Sequence, residues 1–280
     1  MLPSVDDPVV EGRRMKPRIL ILEVRDTRKP GGKVIARIMV EREEKFERAD
    51  DGSINKAWIR LSYRLLETEV FACSGQGEFE GCYSGQDNRV SITTGSSVWE
   101  HGFVTLDLPR LNGQRIGSYL MNEIVCWAQR WSEADVNSIQ LLAGQARGSN
   151  TARRNRFHER FGFVFDYEDN EHRAGESRPM KVSALRQVDS WKENISEQNV
   201  VDCLNGALEA ASAANRESEG LRRTVNELVG ERSIFEAHPL WWATKVICRR
   251  RAGWLVGALI VGLACLPVVH FMHQTVSFWR

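Results

Sequence analysis

The sequence predicts an α+β domain with a mixed, mostly antiparallel sheet and flanking helices, followed by a helical stalk and one transmembrane helix. Three observations lead there. Residues 17–110 fall into short segments rich in Val, Ile and Thr, the spacing becomes helical after Pro109, and residues 252–272 form an apolar run.

The first strands are PRILILEV (17–24), KVIARIMVE (33–41), AWIRLSYRLL (57–66), RVSITTG (89–95) and GFVTLDLP (102–109). Lys29-Pro30-Gly31-Gly32, Asp51-Gly52 and Ser74-Gly75 punctuate them as turns. A helix follows at 116–131, where Ile116, Leu120, Ile124 and Trp127 recur every three or four residues. A strand at 138–144 leads to a second helix, 152–161, which ends at Gly162, a residue suited to a left-handed C-cap. Strands at 163–169 and 180–185 complete the domain. From 190 to 236 the chain reads as polar helix, with Val201, Leu204, Leu208, Ala211, Leu221, Val225, Leu228 and Phe235 mostly at spacings of 3 and 4. Asn215 and Gly220 interrupt a continuous heptad, so the segment reads as a stalk or short coiled coil or, equally, as a helical hairpin packing on the globular domain.

Between Ala252 and Met272 there is no Asp, Glu, Lys or Arg, and these 21 residues would make a helix of about 31 Å, the thickness of a hydrocarbon core. Lys245, Arg249, Arg250 and Arg251 precede it and only Arg280 follows, so the positive-inside rule predicts a single-pass, tail-anchored membrane protein with a cytoplasmic N-terminal domain. Residues 1–16 carry Asp6, Asp7 and Glu11 and lack the apolar centre of a signal peptide. The expected organisation is an N-terminal tail (1–16), a globular domain (17–188), a helical connector or short coiled coil (189–248), a membrane helix (249–273) and a short tail (274–280). The lipid bilayer is the partner expected of 252–272. Stalk and Gly253-xxx-Gly257 together suit a homodimer.

Composition excludes several classes. The 38 Lys and Arg against 37 Asp and Glu leave a net charge of +1, too little for a basic nucleic-acid groove, and no nucleic acid is expected. Cys73, Cys82, Cys126, Cys203, Cys248 and Cys265 form no CxxC pair and have no His at ligand spacing, so neither a metal nor a disulfide scaffold is expected. GxSxG, HExxH and GxxxxGK[ST] are all missing from the sequence.

The informative stretch is GFVTLDLPRLNGQRIGSYL (102–120), a strand that turns through a glycine-containing loop into a helix. The first turn of such a helix leaves backbone N–H groups unpaired, and the helix dipole favours an anion there. A pyrophosphate suits that place.

Pro109-Arg110-Leu111-Asn112-Gly113-Gln114-Arg115-Ile116-Gly117 resembles the acetyl-coenzyme A loop of the GCN5-related N-acetyltransferases, PxxRGxGIG, with Pro109, Gly113, Ile116 and Gly117 in place. Thr151 to Phe163 (TARRNRFHERFGF) resembles the same family's NxxAxxFYxxxGF helix in spacing and in its terminal Gly-Phe. The resemblance covers residues 98–170 and implies acetyl-CoA as co-substrate. It places the pyrophosphate on the amides of 113–118, so that Asn112, Gly113, Gln114, Arg115, Ile116, Gly117 and Ser118 bind it. Pantetheine would run along Leu106, Asp107 and Leu108, and Thr151 and Arg154 would join from the second motif. There are departures. Asn112 stands for the usual Arg, Arg115 for a Gly, Thr151 for an Asn and Arg154 for an Ala; the charge of Arg115 supplements the loop or its side chain crowds it.

His158 stands where relatives have a Tyr that protonates the departing thiolate, and a histidine does this if its imidazolium is populated. Packing on a helix face is its other reading. Glu100, beside His101, is the candidate general base. The resemblance thus implies a membrane-anchored, acetyl-CoA-dependent N-acetyltransferase passing acetyl directly to an unknown amine or protein acceptor. The alternative is a catalytically inactive, membrane-tethered binding or scaffold protein of the same fold.

Overall fold

The computed structural model describes residues 16–28, 32–68, 75–94, 97–98, 108, 110–146 and 150–250, with isolated positions outside these ranges. The central feature is a mixed sheet of eight strands. Its strands are β1 (Ile19–Arg25), β2 (Val34–Arg48), β3 (Ile54–Thr68), β4 (Gln76–Ser84), β5 (Arg89–Ser91) and β6 (Asp135–Val136), then β10 (Met180–Lys181) and β11 (Ile195–Gln198). The spatial order is β10-β6-β5-β4-β3-β2-β1-β11. β5 and β6 run parallel, and the other neighbours are antiparallel. A smaller sheet joins β7 (Gln140–Leu141), β8 (Phe165–Tyr167) and β9 (Gly175–Ser177).

Period-two burial sets the faces. Along β2, Ala36, Ile38 and Val40 point into the core while their neighbours are half-exposed. The hairpin to β3 closes at Ala49–Ser53, where Gly52 takes φ +84°. Helix α1 (Ile116–Ala128) lies on this sheet. It approaches β4 closely because position 81 is glycine: a Cβ there would come within 3.0 Å of Ile124 Cγ2 and of Ser91 O. α1 is buried nearly all round, including Glu123, whose carboxylate is held by Lys16 at 2.7 Å and Arg42 at 2.8 Å. Burial of a carboxylate demands such partners.

Helix α2 (Asn150–Arg160) ends at Gly162, which adopts φ +99° and sits so close to Ala184 O that a Cβ would be 2.8 Å away. Helix α3 (Val200–Ala237) is exposed along most of its length. The chain divides into two compact units, Met1–Gly206 and Ala207–Arg280.

Four expectations change. The transmembrane helix is corrected: among the described residues no helix is long and apolar enough to cross a membrane, and most of 252–272 lies outside them. Residues 190–198 are not helical. Ser190–Glu193 is a short 3-10 turn, and Ile195–Gln198 pairs with β1, because Ile195 packs into the core and the free edge of β1 supplies backbone partners. β4 has no counterpart among the expected strands, because Gly77 and Gly81 break its alternation; a Cβ at Gly77 would fall 2.3 Å from Tyr63 Oη and displace that ring, and one at Gly81 would press on Ser91 O and Ile124. The strand expected at 89–95 is confined to Arg89–Ser91. Of the strand expected at 102–109 only Leu108 is described, and Cys73 and Gly253 fall outside the described residues.

The contact at Gly81 gives a stability prediction. Gly81→Val should force α1 off β4 and lower unfolding stability by about 1–3 kcal/mol, read as a lower urea midpoint at unchanged slope.

Candidate functional site

The loop before α1 is built from two tight turns, Leu111 N donating to Leu108 O (3.1 Å) and Gln114 N to Leu111 O (3.2 Å). Three of its residues have positive φ: Arg110 (69°), Gly113 (83°) and Arg115 (62°). A Cβ at Gly113 would meet nothing, so glycine serves there through its backbone freedom. Arg115 is the N-cap of α1, left-handed and without a side-chain cap. The first helical bond runs from Tyr119 N to Arg115 O (3.0 Å), leaving the N–H groups of Ile116, Gly117 and Ser118 without intrahelical acceptors.

A left-handed arginine costs roughly 1–2 kcal/mol. Its side chain offsets this. Arg115 Nη1 donates to Ser190 O and pairs with Glu193 Oε2 at 2.6 Å, so the guanidinium is drawn toward the 190–193 turn. Buried Asn194 adds a second tie, donating from Nδ2 to Gln114 O (3.0 Å) and to Arg25 O (3.1 Å). Gln114 in turn accepts from Thr27 N at 3.0 Å and donates to Asp26 at 3.4 Å.

This loop and α2 face a cleft of about 1030 Å³. Arg115, Arg153, Arg154, Arg156 and Arg160 line it, and no carboxylate does among the described residues. Arg154 is already engaged, donating to Leu142 O (2.9 Å) and Arg173 O (2.8 Å), and burial lowers its pKa. Arg153 reaches Asn150 Oδ1 at 2.7 Å. Arg156 and Arg160 are exposed and make no ion pair among the described residues.

His158 also lines the cleft, yet it is 7% exposed and set among Phe157, Phe163 and Phe165. Its Nδ1 has no hydrogen-bond partner among the described residues. Burial, and then the nearby charge of Arg154, lower its pKa to about 4. At neutral pH only about one molecule in a thousand carries the imidazolium that a proton-donor role needs.

The structure therefore brings Asn112, Gly113, Arg115, Ile116, Gly117, Ser118, Arg154 and His158 to one cleft. Leu108 is instead a core residue, Gln114 is a buried strut, and Thr151 does not line the cleft whereas its neighbour Asn150 does. Glu100, Leu106 and Asp107 lie outside the described residues. Sequence reasoning missed Arg153, Arg156 and Arg160, although spacings of 3 and 4 put them on one helical face. Among the described residues no group of three or more His, Cys, Asp or Glu could hold a metal.

No protein-family model matches the chain, and no curated protein matches it in sequence. A solved structure, that of nourseothricin acetyltransferase, is similar over 51% of this chain and 63% of that one, at 12% identity and a TM-score of 0.24. The match thus spans less than two thirds of that protein.

Burial of His158 has a pH consequence. The unfolded chain binds this proton near pH 6.5 and the folded chain near 4, so the stabilisation is complete above 6.5 and is lost as pH falls through that window. Urea unfolding at pH 7 and pH 4.5 should differ by a few kcal/mol, roughly 2–3 of them from this residue, and His158→Phe should lack that part of the slope.

Proposed function

We propose that this chain is an acetyltransferase that takes its acetyl group from acetyl-CoA. The observation that supports the reading is one cleft lined by the first turn of α1, by Arg156 and Arg160 and by His158, with no carboxylate among the described lining residues. The diphosphate sits on the N–H groups of Ile116, Gly117 and Ser118, where the dipole of α1 adds to the hydrogen bonds. The acceptor amine attacks the thioester carbonyl; the C–N bond forms, the C–S bond breaks, and the amine loses one proton while the coenzyme thiolate gains one. Glu100 is the proposed base for the first proton. Neutral His158 is a hydrogen-bond partner of the bound thioester, and the thiolate draws its proton from water.

A second reading is binding without turnover, favoured by the suppressed protonation of His158. Calorimetry of the full chain with acetyl-CoA should show saturable binding, weakened at least tenfold by Gly113→Val, which a β-branched residue at φ +83° would impose by reshaping the loop. Absence of binding at millimolar ligand would remove both readings. Thiol release over a panel of small amines and lysine peptides separates them, since only the enzyme frees coenzyme A.

A further inference from the structure

We propose that Arg156 and Arg160 on α2 form a second phosphate subsite, which reads the ribose 3′-phosphate of coenzyme A and makes the protein discriminate coenzyme A from its 3′-dephospho form. This rests on the donor reading above.

α2 carries positive charge that nothing around it answers among the described residues. Of the five arginines along the cleft, Arg115 is committed to Ser190 and Glu193, Arg154 to backbone carbonyls and Arg153 to Asn150. Arg156 and Arg160 have no such use. With Arg153 they recur at spacings of 3 and 4, along about 10 Å of one helical face. Like charges so placed repel each other, and each pair costs a few tenths of a kcal/mol in the absence of an anion.

The amides of Ile116, Gly117 and Ser118 satisfy one anionic group, the diphosphate. The same cleft is lined from α2 by Arg156 and Arg160, whose guanidinium groups make no ion pair among the described residues. A ligand that answers both must carry two separate anionic groups on one molecule. Coenzyme A does, and its 3′-phosphate is a dianion with the three oxygens that a planar guanidinium engages in bidentate fashion. Pantetheine phosphate and the dephospho form lack the second group.

Titration calorimetry on the full chain tests this with coenzyme A and 3′-dephospho-coenzyme A as probes, against the wild type and an Arg156→Gln/Arg160→Gln variant whose melting temperature is checked first. The wild type should bind coenzyme A at least tenfold more tightly than the dephospho form. The double variant should bring coenzyme A to the dephospho level while leaving the dephospho affinity within twofold. Equal affinities in the wild type, or a variant that weakens both ligands alike, would overturn the subsite and leave the donor reading standing. Failure of both ligands to bind would remove the donor reading and this subsite with it.

Discussion

The left-handed backbone at Arg115 is the constraint on which the rest of the site depends. It ends the loop and starts α1 in one residue, and so leaves the first-turn amides clear of the chain that precedes them. Glycine would adopt that conformation freely. Arginine does so because its own guanidinium is anchored to Ser190 and Glu193, while Asn194 ties Gln114, one residue earlier, to the end of β1. The arginine side chain thus holds a turn that its own backbone preference would not. The N–H groups of Ile116, Gly117 and Ser118 are thereby held in one orientation at the start of α1.

Helix α1 supplies the base of this arrangement, and its burial explains the polar network beneath it. A helix covered on almost every side must satisfy any polar group it carries. Glu123 is met by Lys16 and Arg42, Tyr119 donates from its hydroxyl to Glu197 at 2.7 Å, and Asn122 accepts from Val188 N at 2.8 Å. These contacts come from β2, from β11 and from the chain on either side of the sheet. They fix the rotation of α1 about its axis, and with it the direction of the amides at its start.

How much of this was legible in the sequence depended on whether a local pattern carried it. Ile19–Arg25 and the first half of Val34–Arg48 are rich in Ile, Leu and Val, and both strands start within two residues of where that composition puts them, although the second runs seven residues further than it shows. α1 and α2 follow from spacing, and Gly162 from its place after α2. Gln76–Ser84 was hidden because its glycines answer to Tyr63 and Ile124, contacts that no local window contains. Ile195–Gln198 is too short to show a period and exists only because β1 has an edge to fill. In the site, the loop residues were readable from their motif. The burial of His158 was not, because it comes from Phe163 and Phe165 folding back over α2.

The anchors of Arg115 and of Gln114 lie 75 and 80 residues further along the chain. On the ribosome, the loop therefore emerges well before the segment that restrains it. At 5–20 residues per second that gap lasts roughly 4–16 s. During that interval the nascent chain holds an arginine in a backbone state it has no means to maintain, and the loop relaxes into commoner conformations. The order of the loop thus awaits the docking of residues 190–194, and a nascent fragment stopped short of them would carry the loop residues without their anchors.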